Sequence, residues 1–129
     1  AKLTGAVVVT TPQDLALLDA RKGIEMFTKV QVPVLGILEN MSTHVCSQCG
    51  HEEAIFGALG GTKLAEEYGT EQLASLPLSM HIREQADAGN PSAIADPHGT
   101  IAKVYSELAH TITLKLNQKP SGPSISIEE

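Results

Sequence analysis

Apolar positions fall into continuous runs and helical stripes, and their periods predict that the chain opens strand, helix, strand. Gly5-Ala6-Val7-Val8-Val9-Thr10 is a short β-branched run, suited to a strand buried on both faces of a parallel sheet. Thr11-Pro12-Gln13-Asp14 reads as a helix start, with Thr11 as cap, Pro12 at the first helical position and Asp14 in the positively polarised first turn. Leu17, Ala20, Ile24 and Phe27 then recur at helical spacing to about Lys29. Val32 to Leu38 is a second buried-type strand, with Pro33 near its beginning, where a missing donor is tolerated. A unit of this kind is a parallel crossover, and ligands in such sheets gather at the carboxyl ends of strands. Glu39, Asn40 and a polar loop follow that end.

Beyond the loop the periodicity weakens. Glu52 to Phe56 forms a short amphipathic bridge, Gly57 to Gly61 a flexible turn, and Thr62 to Tyr68 a short helix closed by Gly69. Leu73 to Leu78 is a third strand candidate, and Met80 to Ala88 is a polar loop with room for one helical turn. Asp96-Pro97 opens the last helix, which carries Ile101, Val104, Tyr105, Leu108 and Ile112 on one face and runs to about Leu116. From Gln118 the chain turns to Pro, Ser and Gly and is expected to be a disordered tail over 118–129. The expectation is an α/β, three-layer fold over residues 1–117, a mostly parallel sheet flanked by helices.

Composition narrows the function. At 129 residues and 42% apolar, the chain is one domain or part of one. No run approaches the roughly 18 apolar residues of a membrane span, and Ala1 to Gly5 lack a signal peptide's layout, so no membrane and a cytoplasmic location are expected. A net charge of −6 with two tyrosines, two phenylalanines and no tryptophan argues against nucleic-acid binding.

The chemistry concentrates in Thr43-His44-Val45-Cys46-Ser47-Gln48-Cys49-Gly50-His51, which holds both cysteines of the chain. Two thiolates two residues apart can bite one metal or one iron corner of a cluster, but they supply half of a four-coordinate shell. His44 and His51 could complete a zinc site within one chain, although four ligands then crowd a very short span; alternatively a second copy supplies the other pair. A redox pair would want its first cysteine at a helix N-terminus, and no helical run begins at Ser47. Gly57 to Leu64 resembles a phosphate-cradling loop but fails twice, with Thr62 where a glycine is required and Leu64 where magnesium needs a Ser or Thr. Asn40 can offer a donor and an acceptor to a planar base, or simply form a turn.

Val7-Val8-Val9-Thr10-Thr11-Pro12-Gln13-Asp14, Glu39-Asn40-Met41-Ser42, Cys46-Ser47-Gln48-Cys49-Gly50-His51 and Ile82-Arg83-Glu84-Gln85-Ala86-Asp87-Ala88-Gly89 follow one another in an order that closely resembles the Mrp/ApbC family over about residues 4–116. Its members are iron-sulfur cluster carrier ATPases of the MinD/ParA-like deviant P-loop group. The resemblance implies a homodimer in which Cys46 and Cys49 of two subunits hold one bridging 4Fe-4S cluster for delivery to apo iron-sulfur proteins, zinc being a possible substitute metal. It also implies that Asn40, and the segment from Pro77 to Arg83, lie on the nucleotide side.

Family members carry a lysine-bearing glycine-rich loop and a magnesium ligand that this sequence lacks, so it resembles the C-terminal part of a P-loop NTPase fold. ATP and magnesium are accordingly expected of the full-length parent only, and this stretch alone is expected to be inactive as an ATPase, with no catalytic residue. An interior strand without its neighbours should leave an open edge, favouring self-association or marginal stability.

Overall fold

The computed structural model of the chain describes residues 3–118. In order, its elements are β1 (Ala6–Thr10), α1 (Asp14–Lys29), β2 (Val34–Glu39), β3 (His44–Val45), β4 (Glu52–Glu53), α2 (Gly60–Glu67), β5 (Gln72–Ser75), α3 (Met80–Asp87), α4 (Ser92–Ala95) and α5 (Thr100–Asn117). Strands β1, β2 and β5 form a parallel sheet with β2 in the middle, while β3 and β4 make a separate antiparallel pair. Gly36 lets β5 come close, since a Cβ there would stand 2.4 Å from the Leu73 side chain and 2.8 Å from the Glu71 carbonyl.

Alternation along the strands divides the core in two. Val8 and Ile37 point to one face, where Leu17, Ala20 and Ile24 of α1 and Leu64 and Ala65 of α2 cover them. Leu38, with Val7, Leu73 and Ala74, points to the other face and is covered by Ile101, Val104, Leu108 and Ile112 of α5. Helices therefore lie on both faces of a parallel sheet, the three-layer α/β arrangement that the apolar runs predict. Ile37 and Leu64 are completely buried, each contributing on the order of 2–3 kcal/mol by removal from water.

Among the described residues β1 is paired on one side only, and Val9 is 58% exposed. Beside it runs a groove of about 500 Å³ lined by Val7, Val9, Ala16, Ala20, Phe27 and Asn40. This is the open edge expected of an interior-type strand without a neighbour.

The boundaries depart from expectation where polar chemistry competes with periodicity. Helix α1 begins at Asp14, not Pro12, because the Gln13 carbonyl takes the first helical hydrogen bond, from Leu17, and the Thr11 hydroxyl is spent on the Gln13 side chain at 3.1 Å. Helix α2 starts two residues before Thr62, behind Leu59 in the left-handed region at φ 63°. Strand β5 ends at Ser75, and Leu76–Leu78 carry its parallel hydrogen bonding past the end of β2 onto the cysteine loop. The stretch expected to be mostly loop is the eight-residue helix α3; it buries no side chain, so it left no apolar stripe to read. Helix α5 starts at Thr100 behind Gly99 rather than at Asp96-Pro97, and Tyr105 is 38% exposed instead of joining the buried face. The tail expected over 118–129 lies, from residue 119 on, outside the described residues.

Candidate metal centre

The cysteine loop leaves the carboxyl end of β2, the central strand. Asn40 donates its N–H to the Thr10 carbonyl at 2.7 Å, and its side-chain Oδ1 accepts the Met41 N–H at 2.9 Å, holding Met41 at φ 55°. This is the turn-forming use of asparagine. The ascending limb then runs beside the segment after β5. Ser42 donates to the Leu76 carbonyl at 3.0 Å, Leu78 to the Thr43 carbonyl at 2.7 Å, and Val45 to the Leu78 carbonyl at 3.4 Å.

At its tip the loop folds on itself. His44 pairs with Glu53 and Val45 with Glu52 across β3 and β4, and the Thr43 hydroxyl donates to Glu52 Oε1 at 2.6 Å. The Cys46 N–H donates to the His51 carbonyl and the Gly50 N–H to the Cys46 carbonyl, both at 2.9 Å. Gly50 sits at φ 72°, so the reversal after Cys49 needs a residue without a side-chain penalty there.

That reversal aims backbone at sulfur. The Cys49 N–H, then the Gln48 N–H and the Cys49 side chain, hold the Cys46 thiol below the ordinary cysteine range; partial burial and the charge of Glu53 oppose them. Donors aimed at a sulfur favour the thiolate, the form that binds metal and the form that a cluster sulfur ligand takes. Cys46 is half-buried and Cys49 exposed, and both are free thiols.

The histidines stand apart. His44 bridges to Leu78, and His51 lies 3.8 Å from Glu53. Among the described residues no three His, Cys, Asp or Glu side chains converge on one point, so the structure does not assemble a zinc site of Cys46, Cys49, His44 and His51 in one chain. Two sulfurs are what one chain brings together.

The expected nucleotide-side residues separate in kind. Asn40 lines the open groove beside β1; Pro77 and Arg83 are not among the residues lining it. Pro77 follows Leu76, whose N–H donates to the Glu39 carbonyl at 2.9 Å, one strand away from Asn40. Arg83 lies on the surface of α3, 3.2 Å from Asp87 and 3.6 Å from Glu84. At Gly57 to Leu64 the resemblance to a phosphate loop fails for a further reason: the Gly61 N–H, which would face a phosphate, donates to Glu39 Oε2 at 2.6 Å.

Glu39 was not singled out by its residue type. It is 5% exposed and the only buried charged side chain among the described residues. The one signal in the sequence is a carboxylate closing an otherwise apolar strand.

Known proteins place these features in context. The sequence model of the ParA family, described as "NUBPL iron-transfer P-loop NTPase", matches residues 1–113. An iron-sulfur cluster carrier protein of Pseudomonas fragi is 67% identical over 109 residues, 84% of this chain and 38% of that protein. A nucleotide-binding protein of Archaeoglobus fulgidus, solved in complex with ADP, superimposes with a TM-score of 0.57 at 34% identity, covering 67% of this chain and 36% of the other. The cell division ATPase MinD of Pyrococcus furiosus gives 0.66 at 24% identity, over 86% of this chain and 43% of its own, and shares the fold. The chain thus spans less than half the length of these proteins.

Proposed function

Because the chain belongs to the ParA family of NUBPL-type iron-transfer P-loop NTPases, we propose that it is the cluster-holding part of a cytoplasmic iron-sulfur carrier. In this reading Cys46 and Cys49 of two copies together bind a 4Fe-4S cluster as cargo for apo-proteins. One observation carries it. The tip presents one donor-stabilised sulfur and one exposed sulfur, and no third ligand among the described residues. Half a shell that is pre-shaped for thiolate and open outward is completed most simply by the same half from a second copy.

ATP binding and hydrolysis belong, in this reading, to the intact protein. Phosphoryl transfer needs groups that position and neutralise phosphates, and the only candidate loop here has its Gly61 N–H occupied by Glu39. Asn40, Pro77 and Arg83 are proposed as the base-side residues, with Asn40 first because it lines the groove of about 500 Å³ beside β1. The backbone ladder from Leu76 and Leu78 to Ser42, Thr43 and Val45 joins the segment holding Pro77 to the limb holding Cys46, giving nucleotide state a physical route to the cluster.

Anaerobic reconstitution of the intact protein tests this. The expected result is about four irons and four sulfides per pair of chains, lost in a Cys46→Ala, Cys49→Ala double variant. Full retention by that variant sinks the assignment. One zinc per monomer, lost on His44→Ala or His51→Ala, would replace it with a structural zinc module.

A further inference from the structure

The two limbs of the cysteine loop are fastened to the body by different means. The ascending limb, from Asn40 to Val45, is tied by backbone hydrogen bonds to Thr10, Leu76 and Leu78, which only a proline substitution would remove. The descending limb, 54–59, has among the described residues one backbone hydrogen bond beyond the helix it leads into, from the Gly57 N–H to its own Ala54 carbonyl. It returns to the sheet at α2, whose Leu64 and Ala65 are buried in the core, and the tie nearest the loop is the bond from the Gly61 N–H to Glu39 Oε2 at 2.6 Å. The short distance fits a charge-assisted bond at the positive end of a helix.

The surroundings are shaped around that bond. A Cβ on Gly61 would stand 2.8 Å from Glu39 Oε2 and 3.0 Å from Gln72 Oε1, so only glycine admits the carboxylate so close to the backbone. A Cβ on Gly60 would meet Pro12 and the Leu17 side chain at 3.1 Å, so the same pair of glycines seats α2 against the start of α1. The Thr62 hydroxyl donates to Gln72 at 2.9 Å, a second but half-buried tie to β5. On its backbone side, the Glu39 carbonyl accepts from Leu76 at 2.9 Å and from the Ser42 hydroxyl at 3.3 Å. A single residue at the end of the central strand thus meets both ends of the loop.

We infer that Glu39 is the positioning residue of the cysteine loop, its buried carboxylate closing the base of the loop on the Gly61 N–H and so setting where Cys46 and Cys49 stand relative to the sheet. The functional consequence rests on the shared-cluster reading above: two loops can offer four sulfurs to one cluster only if each is held in a fixed stance, and a descending limb whose first tie to the sheet moves from Gly61 to the buried Leu64 samples more of them. The tip's own turn is closed locally by Cys46, Gly50 and His51, so losing Glu39 leaves each cysteine pair intact and spoils their joint placement.

The test compares Glu39→Ala and Glu39→Gln with wild type in the intact protein. It reads the rate at which a ferrous chelator strips iron from the reconstituted protein, and hydrogen exchange of the metal-free protein over residues 54–63. Glu39→Ala is expected to release iron about tenfold faster, the size of one lost hydrogen bond to a charged group, and to exchange faster over 54–63 with no change over 6–29. Glu39→Gln, whose amide oxygen can accept the same N–H, is expected to recover most of both. Wild-type release and exchange in Glu39→Ala overturn the inference, as does a Glu39→Gln indistinguishable from Glu39→Ala.

Should Glu39→Ala fail to fold, Glu39→Asp carries the test, keeping the charge but falling one methylene short. Faster exchange over 54–63 supports the inference and unchanged exchange ends it. If wild type binds no iron, the shared-cluster reading falls, while the metal-free exchange still decides the role of Glu39.

Discussion

The sheet core and the cysteine loop are built on opposite principles within a few residues of each other. In the core, Ile37 and Leu64 are fully buried and touch other apolar side chains, so stability there comes from removing surface from water. In the loop, Cys49, Glu52 and Glu53 are exposed, and shape comes from backbone hydrogen bonds, two glycines at positive φ, Gly50 and Gly57, and one buried carboxylate. The core tolerates little change in volume and no unpaired charge. The exposed loop tip tolerates changes of side-chain volume and charge, because its energy lies in a few directional contacts.

Truncating the core is expected to have the largest effect. Ile37→Ala or Leu64→Ala should cost about 3 kcal/mol in denaturant unfolding, whereas Ser47→Ala at the exposed tip should stay within about 0.5 kcal/mol. Equal costs would break the contrast. At the boundary between the regions, Gly61→Ala should cost about 1–3 kcal/mol by forcing a Cβ against Glu39 and Gln72, read by the same unfolding.

A smaller effect is expected at the open edge. Val9→Lys places a charge on β1's exposed side and should reduce self-association of residues 1–129, measured by light scattering at rising concentration. No association by the unsubstituted chain would show that the groove beside β1 stays tolerably solvated.

The mildest expected effect is a change of charge in the loop. Because backbone donors hold the Cys46 thiol low, its alkylation rate should reach half-maximum below the pH of a free cysteine, about 8.5. The thiolate's contribution to folding is then complete above the unfolded thiol's pKa and is lost as pH falls through the lower folded one. Glu53 pushes the other way, so Glu53→Gln should lower the inflection further, while unfolding at neutral pH stays unchanged.

Legibility followed the same divide. Val7-Val8-Val9 and Val32 to Leu38 predict parallel strands, although Val9 is 58% exposed and β2 starts at Val34, and Ile101, Val104, Leu108 and Ile112 predict a helix, because burial imposes a period on sequence. Helix α3 was missed because it buries nothing: its Arg83–Asp87 pair and the hydrogen bond from the Ser92 hydroxyl to Gln85 at 2.7 Å leave no apolar stripe. Cys46 and Cys49 were legible as a pair from their spacing, but the spacing left the fate of His44 and His51 open. Their separation from the sulfurs depends on the local β3–β4 pairing and on the bridge from His44 to Leu78, which is distant in the chain.

By itself, then, the sequence determined a parallel α/β layer structure and a two-thiol site past the end of its second strand, since both are written in local pattern. The tertiary structure alone decided three further things: that Leu76–Leu78 pair with the loop beyond β2, that the Gly61 N–H is spent on a carboxylate instead of facing a phosphate, and that Glu39 closes the loop's base. Each depends on a hydrogen bond between distant residues, and which donor meets which acceptor is fixed only once the chain has packed.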